Sequence, residues 1–146
     1  GEGRVGMYTR PLDLAALLAE AREQQLPARC DIGHIHLMTA DVDAAAGFWR
    51  DALGLAERQR FGPQAVFLAE GLYHHHIGAN SWQSAGASPA PGHVPGLDSF
   101  ELRLRDTAAV DLTKERLEQA GVSLERDGST LRFRDADSNG VIVSSR

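Results

Sequence analysis

Two pairs of histidines are the residues of this sequence best placed to do chemistry together. His34 and His36 lie two positions apart in a run with strand-like alternation, so both side chains point to one face of that strand. His74 and His76 have the same spacing in a second run, where His75 points the other way. If the two runs are neighbouring strands, four imidazoles face one cavity.

This set of four imidazoles allows two interpretations. Neutral imidazole is a common ligand of zinc, nickel and iron, so His34, His36, His74 and His76 are candidate metal ligands. Neither run contains the carboxylate that completes a site of two histidines and one carboxylate. The sequence therefore favours the polar lining of a small-molecule pocket, and the metal site stays open as the second interpretation.

Other polar positions are weaker candidates for the same pocket. Ser99, Glu101 and Arg103 share one face of a later strand-like run, where the two charged residues either pair inside the cavity or lie on a solvent-exposed strand face. Trp82 follows the second histidine run and is either a pocket wall or part of the core, with core packing the default expectation.

The elements that must hold these residues follow an order that occurs twice. Residues 32–39 are predicted to form a strand, and a helix follows that Asp41 caps and Gly54 ends. Three strand-like runs come next, at residues 56–61, 65–69 and 73–80. After a segment rich in Gly, Pro, Ala and Ser, the same order returns as a strand at about 99–105, a helix that Gly121 ends, and runs at 123–126, 130–134 and 141–144.

This repeat predicts the fold class and the domain organisation. The corresponding glycines, Gly54 and Gly121, are 67 positions apart, which is the signature of a repeated supersecondary unit. We expect an α+β fold of two βαβββ modules that form a cupped mixed sheet, with an extra N-terminal helix. The predicted divisions are a bridge segment at 1–30, a first module at 31–83, a linker at 84–96 and a second module at 97–146.

The bridge segment carries an apolar stripe that needs a partner surface. Leu14, Leu17, Leu18 and Ala21 recur at helical spacing. We expect this stripe to be buried against a second polypeptide, either a separate N-terminal half or a copy of this chain. The competing expectation is that the helix folds back onto its own sheet.

Composition excludes several classes of function. The formal net charge of −5 argues against nucleic-acid binding, which requires clustered Lys and Arg. No apolar run has the length of a membrane span. The one cysteine, Cys30, permits no intramolecular disulfide, which fits the cytoplasm, and it has no base in its motif. No catalytic residue is therefore predicted within this chain.

Three motifs make the sequence resemble a known superfamily. They are IGHIHL at residues 32–37, GFWRDALGL at 47–55 and YHHHIGANSW at 73–82. The sequence resembles the vicinal-oxygen-chelate superfamily of glyoxalases, bleomycin-resistance proteins and extradiol dioxygenases, and within it the two-domain catechol-2,3-dioxygenase-like proteins. The phrase MYTRPLDL at 7–14 resembles the bridge into the second half of such proteins.

The resemblance also identifies what this chain lacks. Active members hold their metal through a histidine on the first strand of each module and a glutamate on the last strand. The first position matches His34, but the second falls at Ser99 and the third at Ile142, so the triad is broken. The full set of residues expected to line the pocket is His34, His36, His74, His76, Ser99, Glu101, Arg103 and Ile142.

The resemblance implies a function for the whole protein more than for this chain. The implied activity is ring cleavage of a catechol-like substrate with Fe(II) as the cofactor, and no metal is expected at an intact triad here. The chain then resembles the half that lost the triad and pairs with a metal-bearing half, and its ligand is a small aromatic or vicinal-oxygen compound. The alternative is a metal-free small-molecule binding or sequestering protein of the bleomycin-resistance type.

Overall fold

The computed structural model describes residues 11–21, 31–89, 91 and 94–146. Residues 7–10 of the bridge phrase, Cys30 and His93 lie outside the described residues. Within the described part, the elements in chain order are α1 (Leu14–Glu20), β1 (Ile35–Met38), α2 (Val42–Leu53), β2 (Ala56–Phe61), β3 (Ala65–Ala69), β4 (Ile77–Asn80), β5 (Ser99–Leu104), α3 (Thr107–Gln119), β6 (Leu124–Asp127), β7 (Thr130–Arg134) and β8 (Gly140–Ser145).

The strands form two four-stranded mixed sheets with the same topology. The strand order is β1-β4-β3-β2 in the first sheet and β5-β8-β7-β6 in the second. In each sheet the first and last strands of the module pair in parallel, with Ile35 opposite Ile77 and Phe100 opposite Val141. The remaining pairs are antiparallel. The α+β fold with two βαβββ units is therefore confirmed.

The predicted signals at the ends of α2 are confirmed. The Asp41 carboxylate accepts hydrogen bonds from the backbone N–H groups of Asp43 and Ala44, which satisfies donors that the first turn leaves free. Gly54 follows the helix in the left-handed conformation, with a φ of 71° that disfavours other residues. These two caps fix the length of α2 and so the position of the strands on either side.

A single hydrophobic core joins the two modules. Trp49 of α2 is 1% exposed and packs against Phe100 of the second sheet, with ring centroids 6.0 Å apart. Period-two alternation along β1 and β5 predicts that one face of each strand lies towards the core. Leu37 is buried there, and the other residues of these faces pack against the core, namely Ile35, Phe100, Leu102 and Leu104. The backbone N–H of Ala40 also donates to the Asp137 carboxylate across the modules. The apolar strand faces are therefore covered by helices, and the polar faces are left open.

The second histidine run differs from expectation, and helix α1 is not covered by its own sheet. The strand predicted at 73–80 begins only at Ile77, so residues 73–76 have irregular backbone. Helix α1 has no buried residue, and Leu14, Leu17 and Leu18 are each more than half exposed. The alternative in which this helix folds back onto its own sheet is therefore not observed. None of the described helices is long and apolar enough to cross a membrane.

Candidate functional site

The parallel pairing of β1 and β4 brings the two histidine runs to one edge of the first sheet. The backbone N–H of Ile35 donates to the carbonyl of His76, at 3.0 Å. Because paired parallel strands begin at the same edge of a sheet, the residues that directly precede each strand lie close together. His34 therefore lies beside residues 73–76.

Three of these histidines form a compact group, which we call the histidine cluster: His34, His74 and His75. One ring nitrogen of each lies within 4.8 Å of those of the other two. The ring centroid of His75 is 4.4 Å from that of His34 and 4.5 Å from that of His74. His34 is exposed, His74 is half-buried and His75 is buried, so the cluster extends from the surface inwards.

His75 is the most constrained member of the cluster. Its side chain is 8% exposed, and its buried Nδ1 has no hydrogen-bond partner among the described residues. Burial, with a smaller contribution from the neighbouring imidazoles of His34 and His74, lowers the pKa of His75 to about 4. The ring is therefore neutral at pH 7 and keeps a lone pair available.

His36 lies outside the histidine cluster because of a close approach to the neighbouring strand. A β-carbon built on Gly78 would be 2.8 Å from Nδ1 of His36, so the ring lies over the bare backbone of Gly78. The ring meets Phe67 edge-on with centroids 5.5 Å apart, and it is tilted against Trp82 at 5.9 Å. His36 is thus packed among aromatic rings.

These rings surround a pocket of about 490 Å³, which we call the aromatic pocket. Its lining is formed by His34, His36, Phe61, Phe67, His75, Asn80 and Trp82. Phe61 and Phe67 meet edge-on with centroids 5.4 Å apart, which builds one wall. The side-chain oxygen Oδ1 of Asn80 accepts a hydrogen bond from the backbone N–H of Trp82, so the side-chain amide of Asn80 is held in one orientation. The volume is within the range of small-molecule sites.

His76 is not where the alternation predicted it. Its ring stacks on Tyr73 with centroids 4.6 Å apart, and its Nδ1 accepts from the backbone N–H of Glu70. Strand alternation fails here because residues 73–76 are not in a strand, so His74 and His75 both turn towards His34. The expected group of His34, His36, His74 and His76 is therefore not the group that the structure brings together.

The expected pocket residues of the second module lie elsewhere. Ser99 and Ile142 line a separate, larger hollow of about 770 Å³, which contains no histidine. Glu101 accepts a hydrogen bond from the hydroxyl of Ser144, and Arg103 pairs with Asp31. The expected pairing of Glu101 with Arg103 is thus replaced by two other contacts, and both residues lie on an exposed strand face.

Sequence reasoning missed several of the residues that line the aromatic pocket. His75 was assigned to the opposite face, and Phe61 and Phe67 were not singled out. The expectation that Trp82 packs in the core is wrong, because its side chain is 57% exposed and lines the pocket. Period-two alternation in β3 could have found Phe67, since it faces away from Val66 and Leu68 of the core.

Comparison with known proteins identifies the superfamily. Residues 31–143 match the family model described as Glyoxalase/Bleomycin resistance protein/Dioxygenase superfamily. A crystal structure of lactoylglutathione lyase from Agrobacterium tumefaciens is similar, with a TM-score of 0.58 and 25% identity over 82% of this chain and 96% of that chain. The chain belongs to the glyoxalase/bleomycin resistance/dioxygenase superfamily.

Two curated relatives are ring-cleaving dioxygenases by name. The chain is 37% identical to Catechol-2,3-dioxygenase of Bacillus subtilis (strain 168), over 97% of this chain and 51% of that protein. It is 27% identical to Manganese-dependent 2,3-dihydroxybiphenyl 1,2-dioxygenase of Geobacillus genomosp. 3, over 70% of this chain and 32% of that protein. The chain thus spans about half or less of the length of these relatives.

The residues at the three metal positions that the resemblance assigns do not fit a metal ion. His34 directly precedes β1, Ser99 is the first residue of β5, and Ile142 lies within β8. A serine hydroxyl is a poor ligand for the metals of this superfamily, and isoleucine has no donor atom. One imidazole alone does not make a metal site, so no chemistry is derived from a metal at these positions.

Proposed function

We propose that this chain is a domain of a catechol-2,3-dioxygenase-like protein, that it binds a small aromatic molecule in the aromatic pocket, and that it lacks the metal triad of the superfamily. The observation that carries the proposal is the composition of the pocket, with aromatic rings on its walls and imidazole and amide groups between them. Aromatic walls accept a flat ring by edge-to-face or offset contact. Imidazole and amide groups can hydrogen-bond to its hydroxyl groups.

The aromatic pocket is a better candidate than the larger hollow of the second module. The larger hollow has four charged side chains in its lining, Asp98, Glu125, Arg132 and Arg134, and Phe133 is its one aromatic ring. The lining of the aromatic pocket contains no formally charged residue; besides Asn80 it consists of two phenyl rings, one indole and three imidazoles. Binding of an uncharged catechol-like ring in the aromatic pocket therefore removes water from no formally charged side chain, whereas binding in the larger hollow would dehydrate charged groups without pairing them.

In this proposal the ring-cleaving step belongs to a second half that carries an intact triad and its metal. Both relatives are dioxygenases by name, and one of them is manganese-dependent by name. The proposed metal of the triad-bearing half is therefore Fe(II), which the resemblance implies, or Mn(II). The triad-bearing partner in this proposal is a separate N-terminal half, because a second copy of this chain has the same broken triad and could pair with it only as a binding protein. The broken triad in this chain, at Ser99 and Ile142, is the reason for assigning the metal elsewhere.

Tryptophan fluorescence can test ligand binding directly. The sequence has two tryptophans; Trp49 is buried in the core and Trp82 lines the aromatic pocket, so a pocket ligand should quench mainly Trp82. We expect saturable quenching by catechol under anaerobic conditions with chelator present, and little quenching in Trp82→Phe. His36→Ala should weaken binding about fivefold, the effect of one lost hydrogen bond. Equal quenching in wild type and Trp82→Phe would place the ligand elsewhere and contradict the proposal.

Oxygen uptake separates this proposal from its alternative. The isolated chain with Fe(II) and catechol should consume no oxygen beyond a protein-free control, and uptake should appear when a triad-bearing half is added. Ring cleavage by the isolated chain would overturn the proposal. Catechol binding that persists while no triad-bearing half is activated would instead support the metal-free binding protein of the bleomycin-resistance type.

A further inference from the structure

His34 and His75 line the aromatic pocket, but the convergence of the three histidines of the cluster is explained by neither the proposed function nor the broken triad. His34 directly precedes β1, and His74 and His75 precede β4, so three imidazoles converge from two neighbouring strand ends. Their ring nitrogens already lie within 4.8 Å of one another. Neutral imidazole nitrogens grouped at this spacing can serve as ligands of one metal ion.

The buried member of the cluster lacks that partner. Nδ1 of His75 is inaccessible to solvent and forms no hydrogen bond within the described part of the chain. An unsatisfied buried nitrogen costs roughly 1–3 kcal/mol, so its retention calls for an explanation such as an ion or a water. Its neighbours in the cluster are two imidazoles and no cation, which makes the environment suitable for an electron-pair acceptor.

We infer that His34, His74 and His75 bind one divalent late first-row transition metal ion of the Zn²⁺ and Co²⁺ type, at a site that shares His34 with the triad positions of the superfamily but takes its other two ligands from His74 and His75. Three imidazoles without a carboxylate favour zinc, cobalt, nickel or copper over magnesium, calcium or manganese. Three protein ligands also leave a coordination position open. This position faces the aromatic pocket, because His34 and His75 line it as well.

The movement needed to close the site is small. Zinc–nitrogen bonds of about 2.0–2.1 Å at tetrahedral angles place the nitrogens about 3.4 Å apart. From the 4.8 Å upper limit, the rings must approach each other by at most about 1.4 Å. His34 is exposed and His74 is half-buried, so both can turn at the side chain, whereas the buried His75 supplies a fixed anchor.

Metal titration of single variants tests the site. After removal of metal with a chelator, calorimetry with Zn²⁺ alone should give one equivalent in the wild type, and Co²⁺ should give visible d–d absorption of a low-coordinate site. His34→Ala and His74→Ala should each weaken binding by about a hundredfold or more, since loss of a ligand exceeds the ten- to hundredfold effect of an outer-sphere partner. Both positions reach the surface, so these variants should fold.

His76→Ala is the matched control, because it removes a histidine one residue from the cluster whose ring stacks on Tyr73 instead. It should leave zinc affinity within about twofold, a change of roughly 0.4 kcal/mol. The inference is overturned if the wild type shows no saturable binding below about 1 mM Zn²⁺. It is also overturned if His76→Ala and His36→Ala weaken binding as much as His74→Ala does, which would indicate the four-histidine set instead.

The inference goes beyond the proposed function and can fail separately from it. Catechol binding in the presence of chelator tests the aromatic pocket without any metal. Zinc binding in the absence of catechol tests the histidine cluster without any aromatic ligand. Failure of catechol binding therefore does not contradict the zinc site, and failure of zinc binding does not contradict the aromatic pocket.

Discussion

The imidazole of His36 lies across the backbone of Gly78, with Nδ1 only 2.8 Å from the position that a β-carbon on Gly78 would occupy. The two residues are register partners in the parallel pair of β1 and β4. The second module has Glu101 opposite Ile142 at the corresponding step, and there the Glu101 carboxylate accepts from Ser144 instead. A glycine at position 78 therefore gives the first module room for an inward ring that the second module lacks.

Substitution of Gly78 should damage the aromatic pocket more than the fold. In Gly78→Ala the new methyl group displaces the His36 ring from its contacts with Phe67 and Trp82. Overpacking of this kind costs about 1–3 kcal/mol of unfolding free energy. We expect catechol quenching of Trp82 to be lost or strongly weakened while the chain still folds, as measured by urea unfolding and by fluorescence titration.

The matched control for this substitution is Gly96→Ala. No atom lies within 4 Å of a β-carbon built at Gly96, and its φ is not in the left-handed region. The change in unfolding free energy should stay within about 0.5 kcal/mol, and catechol binding should be unchanged. An equal loss of catechol binding in both variants would mean that the contact between His36 and Gly78 does not shape the pocket.

Stability should fall on mild acidification because of His75. Burial lowers its pKa in the folded state to about 4, against 6.5 for an ordinary imidazole, so the unfolded chain binds more protons between these two values. The free energy of unfolding therefore decreases as pH falls from 7.5 to 5.5, by about 1 kcal/mol from this group. Carboxylates remain largely ionised in this window, which isolates the histidines.

Urea unfolding at the two pH values measures this effect, in chelator to exclude metal. His75→Gln removes the titrating group, so its stability should depend less on pH than that of the wild type. A wild-type protein with the same unfolding free energy at pH 7.5 and 5.5 would show that His75 is protonated as easily in the folded state as in the unfolded one.

The sequence predicted the fold better than the site, for a physical reason. The fold depends on repeated signals such as the Asp41 cap and the left-handed Gly54, which act locally and are visible in residue types. The strand facing of Leu37 and Phe100 also followed from alternation. The site depends on four residues that leave the strand, where alternation no longer applies. His75 was assigned to the wrong face and His76 to the pocket because strand geometry was extended through irregular backbone.

Restoring the triad positions should create a metal site that the chain now lacks. Ser99→His with Ile142→Glu supplies the two donors that the resemblance assigns to the triad together with His34. We expect zinc or iron binding to appear in this double variant when His74→Ala is also present, because that substitution removes the histidine cluster as a competing site. The control is His74→Ala alone. Metal binding at equal affinity in both proteins would show that the three positions do not converge.

A glutamate at the half-buried position 142 should lower stability by roughly 1–3 kcal/mol if no metal is present.

The exposed stripe on α1 predicts that the chain associates with another polypeptide. Leu14, Leu17 and Leu18 are 56%, 54% and 63% exposed, and the helix contributes no buried residue. Covering each leucine on association would contribute up to about 1.5–3 kcal/mol, so three together favour pairing strongly. We expect the wild type to dimerise, or to bind a triad-bearing half, across a concentration series followed by sedimentation velocity. The variant Leu14→Gln, Leu17→Gln, Leu18→Gln should be monomeric while keeping its catechol quenching, because α1 takes no part in the aromatic pocket.

Substitution of the exposed Leu112 on α3 to Gln is the matched control and should leave association unchanged. A wild type that stays monomeric at every concentration and does not bind a triad-bearing half would contradict the prediction. Association that survives the triple substitution would place the interface on another surface.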